Sequence, residues 1–199
     1  MHARVGIYKI KPGTLDDTLA KARAELLPQT REQPGLQRYT VVLTGPDSFI
    51  SLSAWETREQ AEQAAETLSG WVKENVGPTV VSMENHIGEV VLLHGQSGPD
   101  NTPKYGTVRV STPKPGAPDL TETMRTQFMP IFDQQPGFNS FALMRTDDGA
   151  RIGYVGWDSK ETLDKARDNL RQWGDANVMP HMSKVEVQEG EVAWAVRKG

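Results

Sequence analysis

The sequence predicts an α+β fold made of two similar units, and two observations support this prediction. The first is an internal repeat at a constant spacing of 102 positions, since Pro28, Pro34, Gly35, Trp55, Trp71, Asn75, Pro78, Gly88 and Glu89 recur as Pro130, Pro136, Gly137, Trp157, Trp173, Asn177, Pro180, Gly190 and Glu191. The second is the order of hydrophobic periodicities, which is the same in both halves.

The first half opens with a strand and a helix. Residues 5–10 alternate in the manner of a strand and end at a turn signal, 11–13. An amphipathic helix is expected next, because apolar residues recur on one helical face at Leu15, Leu19, Ala22 and Leu26. Pro34 and Gly35 then end this helix.

A hairpin, a second helix and a last strand complete the unit. Residues 36–44 and 49–55 are β-rich runs joined by a Gly-Pro-Asp turn, which predicts a hairpin. Thr57 and Gln60 form a capping box that predicts the start of the second helix. The apolar face of that helix carries Ala61, Ala64, Leu68 and Trp71. Residues 79–93 are interpreted as the final strand.

The second half repeats this order, so a ferredoxin-like β-α-β-β-α-β unit is predicted twice. Its elements are expected as a strand at 105–111, a helix with the stripe Leu120, Met124, Phe128 and Ile131, a hairpin at 138–157, a helix with Leu163, Ala166, Leu170 and Trp173, and a strand at 183–196. The predicted domains are 1–94 and 104–199. Residues 95–103 are rich in turn formers and are interpreted as a linker.

Composition and charge argue against several functional classes. The chain has 22 basic and 26 acidic residues without a block of like charges, which disfavours nucleic-acid binding. Its apolar runs are far shorter than the roughly 20 residues that span a bilayer, and its first ten residues lack a secretory pattern. The absence of cysteine excludes disulfides and thiolate metal sites. A cytoplasmic protein is expected.

Three motifs of the first half resemble those of antibiotic biosynthesis monooxygenase-like proteins, which belong to the dimeric α+β barrel superfamily. They are Lys-Ile-Lys-Pro-Gly at 9–13, Glu-Gln-Pro-Gly at 32–35 and Ala-Trp-Glu-Thr-Arg-Glu at 54–59, and weaker equivalents stand at 135–137 and 156–161. The resemblance implies that the two units form one barrel as an intramolecular pseudo-dimer, with a further homodimer possible. The superfamily has diverse activities, so the fold alone does not give the function.

The end of the second helix carries an indole and a carboxamide four residues apart in each copy. The pairs are Trp71 with Asn75 and Trp173 with Asn177. The resembled cofactor-free oxygenases use such a pair beside an anthrone or quinol, whose deprotonated form supplies electrons to dioxygen. This resemblance implies that Trp173 and Asn177 are catalytic and that Trp71 and Asn75 bind substrate. Alternatively, the asparagines end their helices and the tryptophans anchor the core.

The predicted pocket, which we expect in the second copy, is completed by His181, Tyr154, Met144 and Met179. His181 has no counterpart in the first copy and could act as a general base or bind a heme iron. Tyr154 could donate a phenolic hydrogen bond, and the two methionines would line an apolar pocket. Each of these residues could instead have a purely structural role.

Three functions remain open from the sequence. The leading hypothesis is a cofactor-independent monooxygenase-like protein that acts on a small aromatic or polyketide-type substrate and needs no metal. The first alternative is a heme-binding or heme-degrading protein that uses His181. The second is a non-catalytic protein that binds a small molecule or responds to stress. No nucleic-acid or membrane partner is expected, and the first copy is expected to be structural.

Overall fold

The structure is a computed structural model that describes residues 1–95 and 102–198. Within these residues the strands are β1 (His2–Ile10), β2 (Leu36–Gly45), β3 (Ser48–Trp55), β4 (Val80–His94), β5 (Tyr105–Pro113), β6 (Phe138–Thr146), β7 (Arg151–Trp157) and β8 (Met182–Arg197). Hydrogen bonds join them in the closed order β1-β3-β2-β8-β5-β7-β6-β4 of an eight-stranded barrel. The predicted α+β barrel fold is thereby confirmed.

The helices lie at the places where the apolar stripes predict them. The α-helices are α1 (Leu15–Lys21), α2 (Leu27–Glu32), α3 (Arg58–Asn75), α4 (Thr121–Thr123), α5 (Met129–Asp133) and α6 (Lys160–Asn177). The predicted capping box of Thr57 and Gln60 is present at the start of α3, and Ser159 with Thr162 forms another before α6. In the described part of the chain, no helix is both long and apolar enough to cross a membrane.

The first helix of each copy contains a π-helical turn that its apolar stripe does not predict. These turns are Ala22–Leu26 and Met124–Phe128, one repeat apart. Each is followed within two residues by a proline, Pro28 or Pro130. Proline has no N–H and its ring displaces the carbonyl four residues earlier, so a regular α-helix cannot continue through it. The repeated proline therefore gives a physical reason for the repeated π turn.

Contacts between Cα atoms divide the chain into two compact units. Unit 1 contains Met1–Glu89 with Val192–Gly199, and unit 2 contains Val90–Glu191. This division assigns the end of β4 to unit 2 and the end of β8 to unit 1, whereas the domains predicted from the repeat keep both strands whole. Residues 96–101, which make up most of the predicted linker, lie outside the described residues.

Unit 1 is an antiparallel sheet covered by α1, α2 and α3. Strand β1 pairs with β3 and β4, while β2 pairs with β3 and with the end of β8. The core between sheet and helices buries Leu36, Tyr39, Trp55, Ala61 and Ala64 in one cluster and Leu26, Leu68 and Trp71 in another. The stripe predicted for α3 is therefore the face that packs on the sheet.

Unit 2 has the same arrangement, in which β5 pairs with β7 and with the first part of β8, and β6 pairs with β7. Its core buries Met129, Phe132, Phe141, Trp157, Leu163 and Ala166. Leu170, from the predicted stripe of α6, packs against this core and is partly buried.

The first strands of the two copies align at a spacing of 103 rather than 102. Tyr105 pairs with Trp157 and Glu191, as His2 pairs with Trp55 and Glu89. Between aligned positions of the first strand and the π turn, the second copy therefore has one residue fewer, and this difference lies before the anchors of the repeat.

Candidate functional site

A narrow cavity lies in unit 1, between the sheet and the helices. Its volume is about 30 Å³, measured as the space open to the centres of water molecules, so it has room for about two or three waters. The residues around it that bear polar or aromatic groups are Arg4, Tyr8, Thr18, Tyr39, Phe49, Ser51, Trp71 and Trp194, and the apolar residues include Leu26 and Leu68.

Arg4 and Tyr8 reach this cavity because alternate residues of β1 share one face of the strand. Gly6 lies between them, and it pairs with Ser51 on one side and with Asn85 on the other. A Cβ atom on Gly6 would lie 2.6 Å from Cε2 of Tyr8 and 2.7 Å from Nη2 of Arg4. The glycine thus leaves the space in which these two side chains meet.

The Arg4 side chain is fully buried and binds only neutral groups. Its Nη1 donates to Oγ of Ser51 at 3.2 Å, and its Nη2 donates to the hydroxyl of Tyr8 and to Oδ1 of Asn85, each at 2.5 Å. Among the described residues, Arg4 has no carboxylate partner, and its buried Nε has no hydrogen-bond partner. A buried charge without a counter-charge is costly, so this site favours an anion.

Two further aromatic residues with polar groups, Tyr39 and Trp194, line the cavity. Burial raises the pKa of Tyr39 to about 12, while its hydrogen bond with Ser51 and the charge of Arg4 act in the opposite direction. The phenol is therefore protonated at neutral pH and cannot neutralise Arg4. The indole Nε1 of Trp194 is buried and has no hydrogen-bond partner within the described residues, and the Tyr39 ring lies 6.1 Å away, centroid to centroid.

The second copy lacks this polar cluster. The positions of Arg4, Gly6, Tyr8, Tyr39, Ser51 and Asn85 are taken there by Thr107, Arg109, Ser111, Phe141, Gly153 and Val187. Arg109 is exposed at the surface of its strand; desolvation by neighbouring groups lowers its pKa, and the nearby charge of Asp175 acts in the opposite direction. The two copies therefore differ in kind, since only unit 1 buries its arginine in this way.

Trp71 is the predicted site residue that borders the cavity. Its neighbour Asn75 donates from Nδ2 to the carbonyl of Trp71 at 3.0 Å, and Asn177 donates in the same way to Trp173 at 2.9 Å. Both carboxamides thus bind the backbone of the last helical turn, which is the structural role that the sequence left open.

The residues predicted for a pocket in the second copy come from α6, from the paired strands β6 and β7, and from the turn Met179–His181. Trp173 is partly buried and packs on Phe128. Tyr154 is buried in β7, but strand alternation places it on the opposite face from Val155 and Trp157, which pack with the helices of unit 2. The structure does not bring Tyr154 and Trp173 together.

His181 and Met179 share one turn, whereas Met144 lies in β6. His181 is half-buried in the 3-10 turn Met179–His181, and Met179 is 37% exposed. Met144 is buried in β6, next to Leu143 of the core and on the other face of that strand. In the described part of the chain, no group of three or more His, Asp or Glu side chains could hold a metal ion.

The sequence analysis missed Arg4, Tyr8, Ser51, Asn85 and Trp194. A signal for the first of these was available, because an arginine in the middle of a strand whose neighbours are mostly apolar is unusual. Tyr8 lies four residues after Arg4 in the same strand, whereas Ser51, Asn85 and Trp194 come from three further strands. Sequence alone does not show that these strands lie together.

Residues 1–69, which lie in the first copy, match the family model described as antibiotic biosynthesis monooxygenase. This match confirms the resemblance predicted from the motifs. Among curated proteins, no sequence matches the chain.

Similar folds occur in solved structures that this chain covers over nearly their whole length. An anthrone oxidase-like protein has a TM-score of 0.68 at 15% identity, with coverage of 100% of this chain and 93% of that one. A monooxygenase-like protein from Lactobacillus acidophilus NCFM has a TM-score of 0.76 at 8% identity, with coverage of 100% and 96%. A chlorite dismutase from Candidatus Nitrospira defluvii has a TM-score of 0.59 at 13% identity, with coverage of 96% and 91%. At these identities the likeness establishes the fold.

Proposed function

We propose that this chain, whose residues 1–69 match the antibiotic biosynthesis monooxygenases, is a cofactor-independent monooxygenase-like enzyme that acts on a small aromatic or polyketide-type compound. The observation that carries the proposal is the buried Arg4 guanidinium, which faces an aromatic-lined cavity in the unit that contains the matched residues. The active site is therefore assigned to unit 1 rather than to the second copy.

The proposed reaction converts a CH₂ group beside a phenol, as in an anthrone, into a carbonyl. The substrate and dioxygen give the carbonyl product and one water, so one oxygen atom enters the product and the other leaves as water. The electrons come from the two C–H bonds of the substrate. The role of Arg4 is to stabilise the negative charge of the deprotonated substrate, in a cavity that excludes bulk water.

The cavity is smaller than such a substrate, because pockets for drug-sized ligands have volumes of roughly 300–1,000 Å³. An aromatic ring can therefore bind only after the surrounding helices have moved. Leu26 borders the cavity and ends the π turn of the first helix. Since π turns are frequent at functional sites, we assign the opening movement to this segment.

Dioxygen uptake in the presence of a chelator tests this function, with anthrones as substrates. We expect uptake of one dioxygen per carbonyl formed, and loss of that uptake in Arg4→Met. Arg109→Met, which removes the exposed strand arginine of unit 2, is the matched control and should retain activity. Binding of these compounds without dioxygen uptake would instead support a non-catalytic binding protein.

A double variant decides which copy holds the site. Trp173→Phe with Asn177→Leu should leave uptake unchanged, because these residues lie in unit 2 and Asn177 binds the helix backbone. Loss of activity in a folded double variant would move the site to the second copy, where the sequence predicted it.

Heme binding through His181 remains a prediction from the sequence. Its test is a hemin titration followed by absorbance. Heme binding predicts a saturable shift of the Soret band at one heme per chain, and His181→Ala should abolish that shift. The expected cytoplasmic location and further homodimer also remain predictions.

A further inference from the structure

Two buried hydrogen-bond donors without partners belong to residues that line the cavity of unit 1. They are Nε of Arg4 and Nε1 of Trp194, and neither has an acceptor among the described residues. Buried polar groups are nearly always paired, so two orphans at one cavity point to a missing acceptor. We propose that this cavity binds a small carboxylate-type anion, with Arg4 as its counter-charge. This binding property is independent of oxygenase activity.

The positive charge of Arg4 requires a ligand that carries a single negative charge. Tyr8, Ser51 and Asn85 satisfy three of the five N–H groups of Arg4 and bring no charge. Two N–H groups remain, one of which is Nε. Tyr39, the remaining acidic group beside Arg4, stays protonated at neutral pH. A monoanion would neutralise the guanidinium, whereas a phosphate or sulfate dianion would leave excess negative charge in a buried site.

The size of the cavity selects among monoanions. Its volume of about 30 Å³ suits a group of two or three heavy atoms, which is the size of a carboxylate. The apolar side chains of Leu26, Leu68 and Val76 line another part of the cavity, so a carboxylate with a small apolar substituent matches the surroundings. The anion is a free small carboxylate or, after the helix movement assigned above, the acidic group of an aromatic acid; both share the same chemistry.

The five indole N–H groups of the chain provide a direct test by ¹H–¹⁵N NMR. Formate, acetate and benzoate are titrated at constant ionic strength, with formamide and benzamide as neutral ligands of similar shape. We expect a saturable shift of the Trp194 indole signal, assigned with Trp194→Phe, and of the Trp71 signal. The signals of Trp157 and Trp173 belong to unit 2 and should stay fixed.

Variants of Arg4 test the counter-charge. Arg4→Met should abolish the saturable shift, and Arg4→Lys, which keeps the charge, should weaken binding about tenfold through loss of the planar fork. Arg109→Met should bind as the wild type does. If Arg4→Met fails to fold, the wild-type titration and Arg4→Lys still decide the question.

Each outcome has a defined meaning. Binding of formate and acetate alone identifies a free small anion, and binding of benzoate alone identifies an aromatic acid; either result supports the site. The absence of a saturable Trp194 shift with every carboxylate overturns the proposal, as do equal shifts with the neutral amides. Because no turnover is measured, this test can fail while the oxygenase activity is present, and it can succeed while that activity is absent.

Discussion

Phe128 stacks on Trp173 with ring centroids 4.4 Å apart and an interplanar angle of 11°. In the first copy the same two positions are Leu26 and Trp71, and both border the cavity of unit 1. An aromatic ring at the end of the π turn therefore covers an indole in one copy, while a leucine leaves space beside the indole in the other.

Leu26→Phe should close the cavity of unit 1. The larger ring would occupy the space beside Trp71, at a stability cost of about 1–3 kcal/mol from overpacking. We expect at least about a tenfold loss of ligand affinity, which corresponds to about 1.4 kcal/mol. Titration of carboxylates or aromatic substrates measures this change.

The converse variant Phe128→Leu is its matched control in unit 2. It removes the stack on Trp173 and should lower stability by about 0.5–1.5 kcal/mol beyond the lost buried area. Ligand affinity should not change. A folded Leu26→Phe protein with wild-type affinity would show that the ligand binds elsewhere.

Gly6→Ala should displace Arg4 and Tyr8, because the added Cβ would approach both side chains to within 2.7 Å or less. We expect a loss of about 1–3 kcal/mol in the free energy of unfolding, measured by urea denaturation, together with weaker anion binding. Gly153→Ala in β7 is the control, since its Cβ would meet no atom closer than 4.0 Å. Equal stability losses in the two variants would contradict this account.

The fold could be predicted from the sequence because its signals are local and occur twice. The stripe of α3 and the capping box of Thr57 and Gln60 each lie within one element, and the repeat confirms them independently. The π turns were missed because one extra residue in a single turn hardly changes the apolar stripe of a helix. Pro28 and Pro130 were nevertheless a signal for the positions of these turns.

The candidate site could be predicted only in part, because it depends on strand register. Arg4, Ser51 and Asn85 are far apart in the sequence, and they meet because Gly6 pairs with both Ser51 and Asn85. A constant spacing of 102 would also make Gly106 the counterpart of Arg4 in the second copy, whereas the pairing of the strands makes Thr107 its counterpart. The helical pair Trp71 and Asn75 was found by spacing, but spacing does not show which way the carboxamide turns.

The raised pKa of Tyr39 makes stability depend on pH in the alkaline range. The pKa is about 12 in the folded state and about 10 in the unfolded chain, so the stabilising contribution is complete below pH 10. It is then lost as the pH rises through 12, by roughly 3 kcal/mol in total. Tyr39→Phe should remove this loss, and its second-copy counterpart is already Phe141. Denaturation curves of the two proteins at pH 8 to 11.5 test the prediction, and parallel pH dependences would contradict it.

The two most deeply buried tryptophans differ in one hydrogen bond. Trp55 donates from Nε1 to Oγ of Ser53 at 3.1 Å, whereas Trp157 has Val155 at the equivalent position and no hydrogen-bond partner for Nε1 within the described residues. Ser53→Ala should therefore leave a buried donor unpaired and lower the free energy of unfolding by about 1–3 kcal/mol. Val155→Thr nearly keeps the shape of valine and offers Trp157 an acceptor, so stability should rise by up to about 1 kcal/mol. Urea denaturation measures both changes. Hydrogen exchange of the Trp55 indole should become faster in Ser53→Ala, and hydrogen exchange of the Trp157 indole should become slower in Val155→Thr. A Ser53→Ala protein as stable as the wild type would mean that water satisfies the Trp55 indole in place of the serine.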